Sequence, residues 1–340
     1  MRPLLSAQAM QRVDLETMRE RRCSSYELMD WVTDAIFTEF SRDPQLEGSV
    51  LVLCGPGNNG GDGYRLAEKL RAILGRSVEV MAVLPPSSIE CKKAAKRCRC
   101  TRVKEIGKSY DIVVDAIFGT GARADLPKVV KDCLQKVNAS GSHRVALDLP
   151  TGVDASSAKF HAQTFVADLT LTIGYPKEVF VVESVAHFLG EIRCIATEFS
   201  EPKGTFKYWA LGHEDFYFGN IARSAHKGIF GKCGVIAGSA STPGAAFLAA
   251  EASHRVGAGY TSLYFADSRN LSIRIREASF LFKPKWKWND VLHNSALILG
   301  PGGIPKGKIP WNKLKMPLVV DADALAEFPQ TSSKGNAILT

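Results

Sequence analysis

The 340-residue chain has no run approaching the ~18 consecutive apolar residues of a membrane helix, which excludes a helical membrane protein. Its start, MRPLLSAQAMQRVDLE, lacks the apolar centre of a secretory signal, so a cytoplasmic protein is expected. Eight cysteines are scattered without a paired C-x-x-C or a neighbouring histidine; only Cys91, Cys98 and Cys100 cluster, which gives little support to a metal centre. Cys54 and Cys233, in or beside apolar strands, read as small core residues. The densest basic stretch, Lys92 to Arg102, has no interleaved aromatic side chains and reads as a solvated helix face, not a specific nucleic-acid site. The formal charge of +8 favours anionic small molecules without establishing one.

What is present starts with SVLVLCGPGNNGGDGYRLAEKLRAIL, residues 49–74. Val50 to Leu53 make the continuous apolar run of a strand buried on both faces, and Leu66, Leu70, Ile73 and Leu74 recur at helical spacing. Between them, the glycines of GPGNNGGDG allow positive φ and close approach to a ligand. The turn matches G-x-G-x-x-G through Gly55, Gly57 and Gly60, with Glu79 about 20 residues on, where a dinucleotide fold carries a ribose-binding acid. Against that reading, Asp62 is expected at the helix mouth, where it caps free N–H groups and repels a pyrophosphate. Asn58 and Asn59 suit a polar small molecule or a weakly held cation better.

Residues 7–40 read as two helices, the second opened by a Ser24/Glu27 capping box. Strands are expected at 77–84, 111–118, 143–149, 169–173 and 191–196, with helical segments between several of them, which means a mostly parallel α/β sheet. Ligands of such sheets gather at the carboxyl ends of the strands. Two further segments belong there, VVDAIFGTGARADLP and LDLPTGVD. Asp115 interrupts an apolar strand and Asp148 precedes a Pro-Thr-Gly turn; each carboxylate needs a cation, donors or a proton, and for each a turn-capping role stays open. After a boundary at 201–223 a second α/β unit begins near His226, with a strand ending at Gly238, an alanine-rich helix, and the strand-and-turn segments SALILGPGG and PLVVDADAL.

GPGNNGGDG, VVDAIFGTG and DLPTGVD, in that order, resemble the bifunctional enzymes that repair hydrated NADH and NADPH. VIAGSASTPGAAFLAA, GAG, GPGG and VVDADAL resemble the front half of their ribokinase-like part. The resemblance implies a Rossmann-like, three-layer epimerase domain over residues 1–215 and an incomplete ribokinase-like dehydratase domain over 220–340. It implies that Asn58, Asn59, Gly60, Gly61 and Asp62 contact the hydrated cofactor, NAD(P)HX, together with Gly119, Thr120, Gly121, Ala122, Arg123, Ala124, Asp125 and Asp148. It implies a potassium ion on Asn59, Asp115 and Thr151, where the family usually has Ser in place of Thr151. In the second domain it implies contacts from Ala245 and Gly302, with GPGGI standing where the family has GPGLG.

In the implied substrate the ring nitrogen expels the C6 hydroxyl and water returns to either face, so epimerisation needs a proton shuttle. Asp148 is the first choice as acid and base, with Asp125 or Asp62 behind it. The family's dehydratase uses ADP or ATP through a His-containing segment, a lysine segment and a GTGD stretch that would follow NAILT. None is in the sequence, so no dehydration is expected from residues 220–340 by themselves. Two other readings remain: an interaction module built on the same N-terminal fold, and a ribokinase-like small-molecule kinase. Dimers are common in the family, and a homodimer or higher oligomer stays open.

Overall fold

The chain begins with a two-residue strand, β1 (Arg2–Pro3), and two helices, α1 (Ala7–Arg21) and α2 (Ser25–Arg42). The capping box forms as the sequence predicts: Glu27 N–H donates to Ser24 Oγ at 3.3 Å, and Ser24 N–H donates to Glu27 Oε2 at 2.8 Å. Leu28, Met29, Val32, Ile36 and Phe40, all buried, make the apolar stripe of α2. The computed structural model describes residues 2–121, 125–195, 199–210, 224–267, 280–329 and 337–340. They divide between two units, Met1–Tyr217 and Phe218–Thr340.

In the first unit β2 (Val50–Cys54), α3 (Asn58–Leu74), β3 (Val78–Ala82), α4 (Ile89–Arg97) and β4 (Thr101–Val103) are followed by β5 (Ile112–Ala116) and α5 (Lys128–Asn138). Then come β6 (His143–Leu147), β7 (Leu169–Ile173), α6 (Glu183–Leu189) and β8 (Glu191–Ile195). The seven strands β2 to β8 form one sheet in the order β4-β3-β2-β5-β6-β7-β8, all parallel. Period-two alternation explains why β2 reads as unbroken apolar sequence. Val50, Val52 and Cys54 pack with α2, α3 and α4 on one face, and Leu51 and Leu53 pack with α5 on the other. The result is three layers, helix on sheet on helix. A short strand, β9 (Trp209–Ala210), pairs antiparallel with β1.

The chain runs outward from β2 to β4, then returns to β5 beside β2. That reversal is a topological switch point at the carboxyl ends of β2 and β5, the place where ligands of such sheets gather.

The second unit contains β10 (Lys232–Ala237), α7 (Pro243–Arg255), β11 (Tyr260–Phe265), β12 (Leu281–Lys283), α8 (Trp288–Val291), β13 (Ala296–Leu299), β14 (Leu318–Val320) and β15 (Ala337–Leu339). Its six strands are parallel, in the order β12-β11-β10-β13-β14-β15, with the reversal between β10 and β13. No helix among the described residues is long and apolar enough to cross a membrane.

Several strands stop short of their expected ends for local reasons. β5 stops at Ala116 because the Asp115 carboxylate takes the N–H of Ile117 at 3.0 Å. β6 stops at Leu147 because Asp148 turns into the left-handed region, φ +69°. The strands β4 and β12, TRV and LFK, are too short to show a period.

Candidate functional site at the switch point

The glycine turn leaves β2 at Gly55 and becomes α3 at Asn58, with Gly57 as a cap that offers no side-chain bond. None of Gly55, Gly57, Gly60, Gly61 and Gly63 has positive φ, so that expectation is corrected. Their use is close packing. A Cβ on Gly55 would sit 1.8 Å from the carbonyl oxygen of Ile117, and one on Gly60 would sit 2.1 Å from that of Gly55. On Gly61 it would meet Met29 Cε at 2.5 Å, and on Gly63 Ala116 Cβ at 2.5 Å. Only at Gly57 would it meet nothing within 4 Å. The turn is thereby pressed against the end of β5, which brings its carboxamides to the crevice. Asn58 is exposed and accepts from Ser88 Oγ at 3.0 Å. The Asn59 amide is buried, and neither its Nδ2 nor its Oδ1 has a hydrogen-bond partner.

Asp62 does not cap the helix. α3 starts four residues earlier, and Asp62 lies buried one turn in. Burial first, then the charges of Asp148, Asp14 and Asp30, push its carboxyl well above the ordinary range, which favours the protonated form. Glu79, the candidate ribose acid, is held by Lys108 at 2.8 Å and by the Tyr110 hydroxyl, so it serves β3.

Asp115 is fully buried. Its Oδ1 accepts from Ile117 N–H at 3.0 Å and Thr151 Oγ1 at 2.8 Å, and its Oδ2 accepts from Thr151 N–H at 2.7 Å. Burial outweighs these neutral donors and raises the carboxyl from 3.8 to about 6. The Thr151 hydroxyl in turn accepts from Phe118 N–H at 3.1 Å, so Asp115 and Thr151 together shape the loop that leads to Gly119.

At Gly119 the turn and the loops meet. A Cβ there would lie 2.8 Å from Asp148 Oδ2 and 3.5 Å from Asn59 Cγ. Thr120 N–H donates to Asp148 Oδ2 at 3.0 Å. Asn59, Gly119, Thr120 and Asp148 therefore face one another, and Asp115 with Thr151 backs the same loop. Asp125 does not join them: its side chain is 99% exposed, with Lys131 at 3.9 Å. Gly121 is exposed with open space around its Cα, and Ala122, Arg123 and Ala124 lie outside the described residues.

A profile of the YjeF-related protein N-terminus matches residues 25–179, and one of NAD(P)H-hydrate dehydratase matches residues 233–340. The bifunctional NAD(P)H-hydrate repair enzyme Nnr of Coxiella burnetii is 28% identical over 352 residues, which takes in 94% of this chain and 70% of its own length. The chain belongs to the NAD(P)H-hydrate repair family. Within that family, an NAD(P)H-hydrate epimerase of Rhodopirellula baltica is 38% identical over 162 residues, 44% of this chain and 66% of that protein. The Nnr of Escherichia coli is 26% identical over 313 residues, 81% of this chain and 57% of its own. A crystal structure of yeast ynu0, YNL200c, aligns over 52% of this chain and 82% of its own at 21% identity, with a TM-score of 0.43. The chain spans between 44% and 70% of the length of the curated relatives it matches.

Two residues beside Asp148 escaped the sequence reading. Lys177, 1% exposed, pairs with Asp148 Oδ1 at 2.6 Å. It also donates to Thr172 Oγ1 at 3.0 Å, Ile173 O at 2.7 Å and Tyr175 O at 3.0 Å. A buried ammonium with this many acceptors is fixed in place, and it fixes the Asp148 carboxylate with it. Asp14 on α1 is half-buried; burial and the Asp148 charge raise its carboxyl to about 7, against the lowering effect of Lys177. Nothing in GYPKEVF or QRVDLE marks these side chains, because the fold alone brings α1 and the segment after β7 to Asp148. In the second unit Gly302, φ +66°, packs against Ala245: a Cβ on Gly302 would lie 2.7 Å from that of Ala245. The Ser239, Ser241 and Thr242 hydroxyls bond one another beside them, and Thr242 Oγ1 donates to Gly302 O.

Proposed function

We propose that residues 1–215 are an epimerase that interconverts the R and S hydrates of NADH and NADPH in the cytoplasm, and that residues 220–340 are the NAD(P)H-hydrate dehydratase part. The observation that carries the first assignment is the meeting of the unpartnered Asn59 amide with the Asp148–Lys177 ion pair at the switch point. A catalytic crevice needs a fixed charge beside a polar contact that awaits a ligand, and packing needs neither.

In the mechanism, Asn59 and the backbone around Gly119 and Thr120 hold the hydrated dihydronicotinamide ring, with Asn58, Gly60, Gly61 and Gly121 lining the approach. Departure of the C6 hydroxyl requires a proton, and a neutral carboxylic acid supplies it. Asp62, kept protonated by burial, and Asp14, poised near 7, are the donors the site offers. The iminium left behind is attacked by water from either face. Asp148, fixed in place by its contact with Lys177, accepts the proton of that water, and a return transfer resets the pair. Division of the work between the two follows from their surroundings: Asp148 has the Lys177 ammonium at 2.6 Å, and Asp62 has burial and the charges of neighbouring carboxylates.

Asn59, Asp115 and Thr151 fit a potassium ion. Asn59 Oδ1 is a buried oxygen without a donor, and every group bonded to Asp115 is neutral, so a hard monovalent cation would supply the missing charge. When bound it orients the pocket electrostatically. Around Gly302 the polar groups of Ser239, Ser241 and Thr242 are hydroxyls, which suit hydrogen bonds to the polar edge of a ligand.

The purified chain incubated with one epimer of NADHX should generate the other, followed by chromatography, with and without potassium. Asp148→Asn should lower the rate by at least about a hundredfold, the usual scale of a lost acid or base, and leave the melting curve cooperative. Retention of most activity would remove Asp148 from this role. Addition of ATP or ADP to the same tube tests the second unit through the return of NADH.

A further inference from the structure

On the flank of α3, away from its first turn, Cys98, Cys100 and Glu68 come together. Both Sγ atoms and a Glu68 carboxylate oxygen lie within 4.8 Å of one another. Cys98 caps the C-terminus of α4 with its N–H on Ala94 O, and Cys100 immediately precedes β4. The corner between them wraps around Glu68: Arg99 N–H donates to Oε2 at 2.7 Å, while Arg71, on the same face of α3, donates to Oε1 at 2.6 Å. The two thiols lie just below the surface, 7% and 5% exposed, with the Glu68 side chain 18% exposed.

We propose that Cys98, Cys100 and Glu68 form a binding site for a borderline-soft divalent metal ion of the zinc class. Two thiolates and a carboxylate are the donors such an ion selects, and the corner presents both sulfurs from one short, fixed stretch of backbone. A tetrahedral ion with bonds of roughly 2.0–2.3 Å needs donor atoms roughly 3.5–3.8 Å apart, a small contraction of the present triangle. Water completes the tetrahedron as the fourth ligand. Binding releases the two thiol protons to solvent and changes no oxidation state. Charge closes as well: two thiolates, one carboxylate and a divalent ion leave a single negative charge, which the Arg71 guanidinium neutralises. Arg71 and the Arg99 amide orient Glu68 as outer partners orient metal-bound carboxylates. Glu68 lies six residues beyond Asp62, about 9 Å along the helix axis, so the ion would pin the α4–β4 corner to α3 without entering the crevice.

The full-length chain, reduced and metal-free, is titrated with cobalt(II) as a spectroscopic stand-in and with zinc(II) against a chromophoric chelator. One equivalent should bind, with thiolate-to-cobalt absorption in the near ultraviolet. Cys98→Ser and Cys100→Ser should each abolish that absorption, Arg71→Gln should weaken zinc binding by roughly tenfold to a hundredfold, and Cys91→Ser should leave it intact. A second readout needs no substitution: zinc should protect Cys98 and Cys100 from alkylation, scored by peptide mass. Absence of the absorption in the unsubstituted chain, its persistence in the Cys98→Ser/Cys100→Ser double variant, or equal alkylation with and without zinc would each overturn the site.

Discussion

At the scale of single residues, the glycine turn separates two roles that sequence merges. Gly55→Ala forces a Cβ into the Ile117 carbonyl and should destabilise the first unit by roughly 3 kcal/mol or more, measured by urea unfolding. Gly57→Ala meets no atom within 4 Å and should change stability by less than about 1 kcal/mol; if this position faces substrate, its KM rises instead. Asp115 gives a pH signature. Its carboxyl titrates at about 6 in the folded chain against 3.8 ordinarily, so the folded state holds the proton more tightly. The group therefore costs nothing below about pH 4, and its cost grows to roughly 3 kcal/mol as pH rises through 6. A cation on the carboxylate relieves that cost. Potassium chloride, compared with choline chloride at equal ionic strength, should raise the melting temperature at pH 8 and not at pH 4.5, and Asp115→Asn should remove the difference. Asn59, Asp115 and Asp148 could be picked out of the sequence because each is a polar residue in an apolar or turn context. Lys177 and Asp14 could not, since their meaning arises only from contact with Asp148.

Among the elements, legibility followed length and capping. α2 was readable because Ser24 and Glu27 mark its start and a single stripe runs from Leu28 to Phe40; Ser24→Ala should cost about 1 kcal/mol in a thermal melt. The basic stretch is, as expected, a solvated face: Lys92, Lys93, Lys96 and Arg97 of α4 are exposed, with Lys93 3.8 Å from the centre of the Tyr26 ring. β4 and β12 were invisible because three residues at a sheet edge carry no alternation. The Cys98–Cys100 corner was visible only as two letters; Glu68, thirty residues earlier, joins it because α3 packs on α4.

For the whole molecule, the seven-stranded sheet explains why three distant motifs serve one place: every strand points the same way, and the chain reverses between β2 and β5. The order of the motifs in the sequence carries no such information, because β5 could have been laid down on the other side of β4. Each unit has hydrophobic clusters drawn from its own residues, those around β2 in the first and those around β10 and β13 in the second. Residues 1–217 expressed alone should therefore unfold cooperatively by circular dichroism and retain the epimerase rate of the full chain; loss of either would place part of the site in residues 218–340.

The wedging of Gly55 and Gly60 against backbone oxygens has a consequence for selection. A library scored only for well-folded protein and a library scored for turnover would return the same letters at these two positions, so their invariance says nothing about what the crevice holds. Gly57 is where the two screens would part.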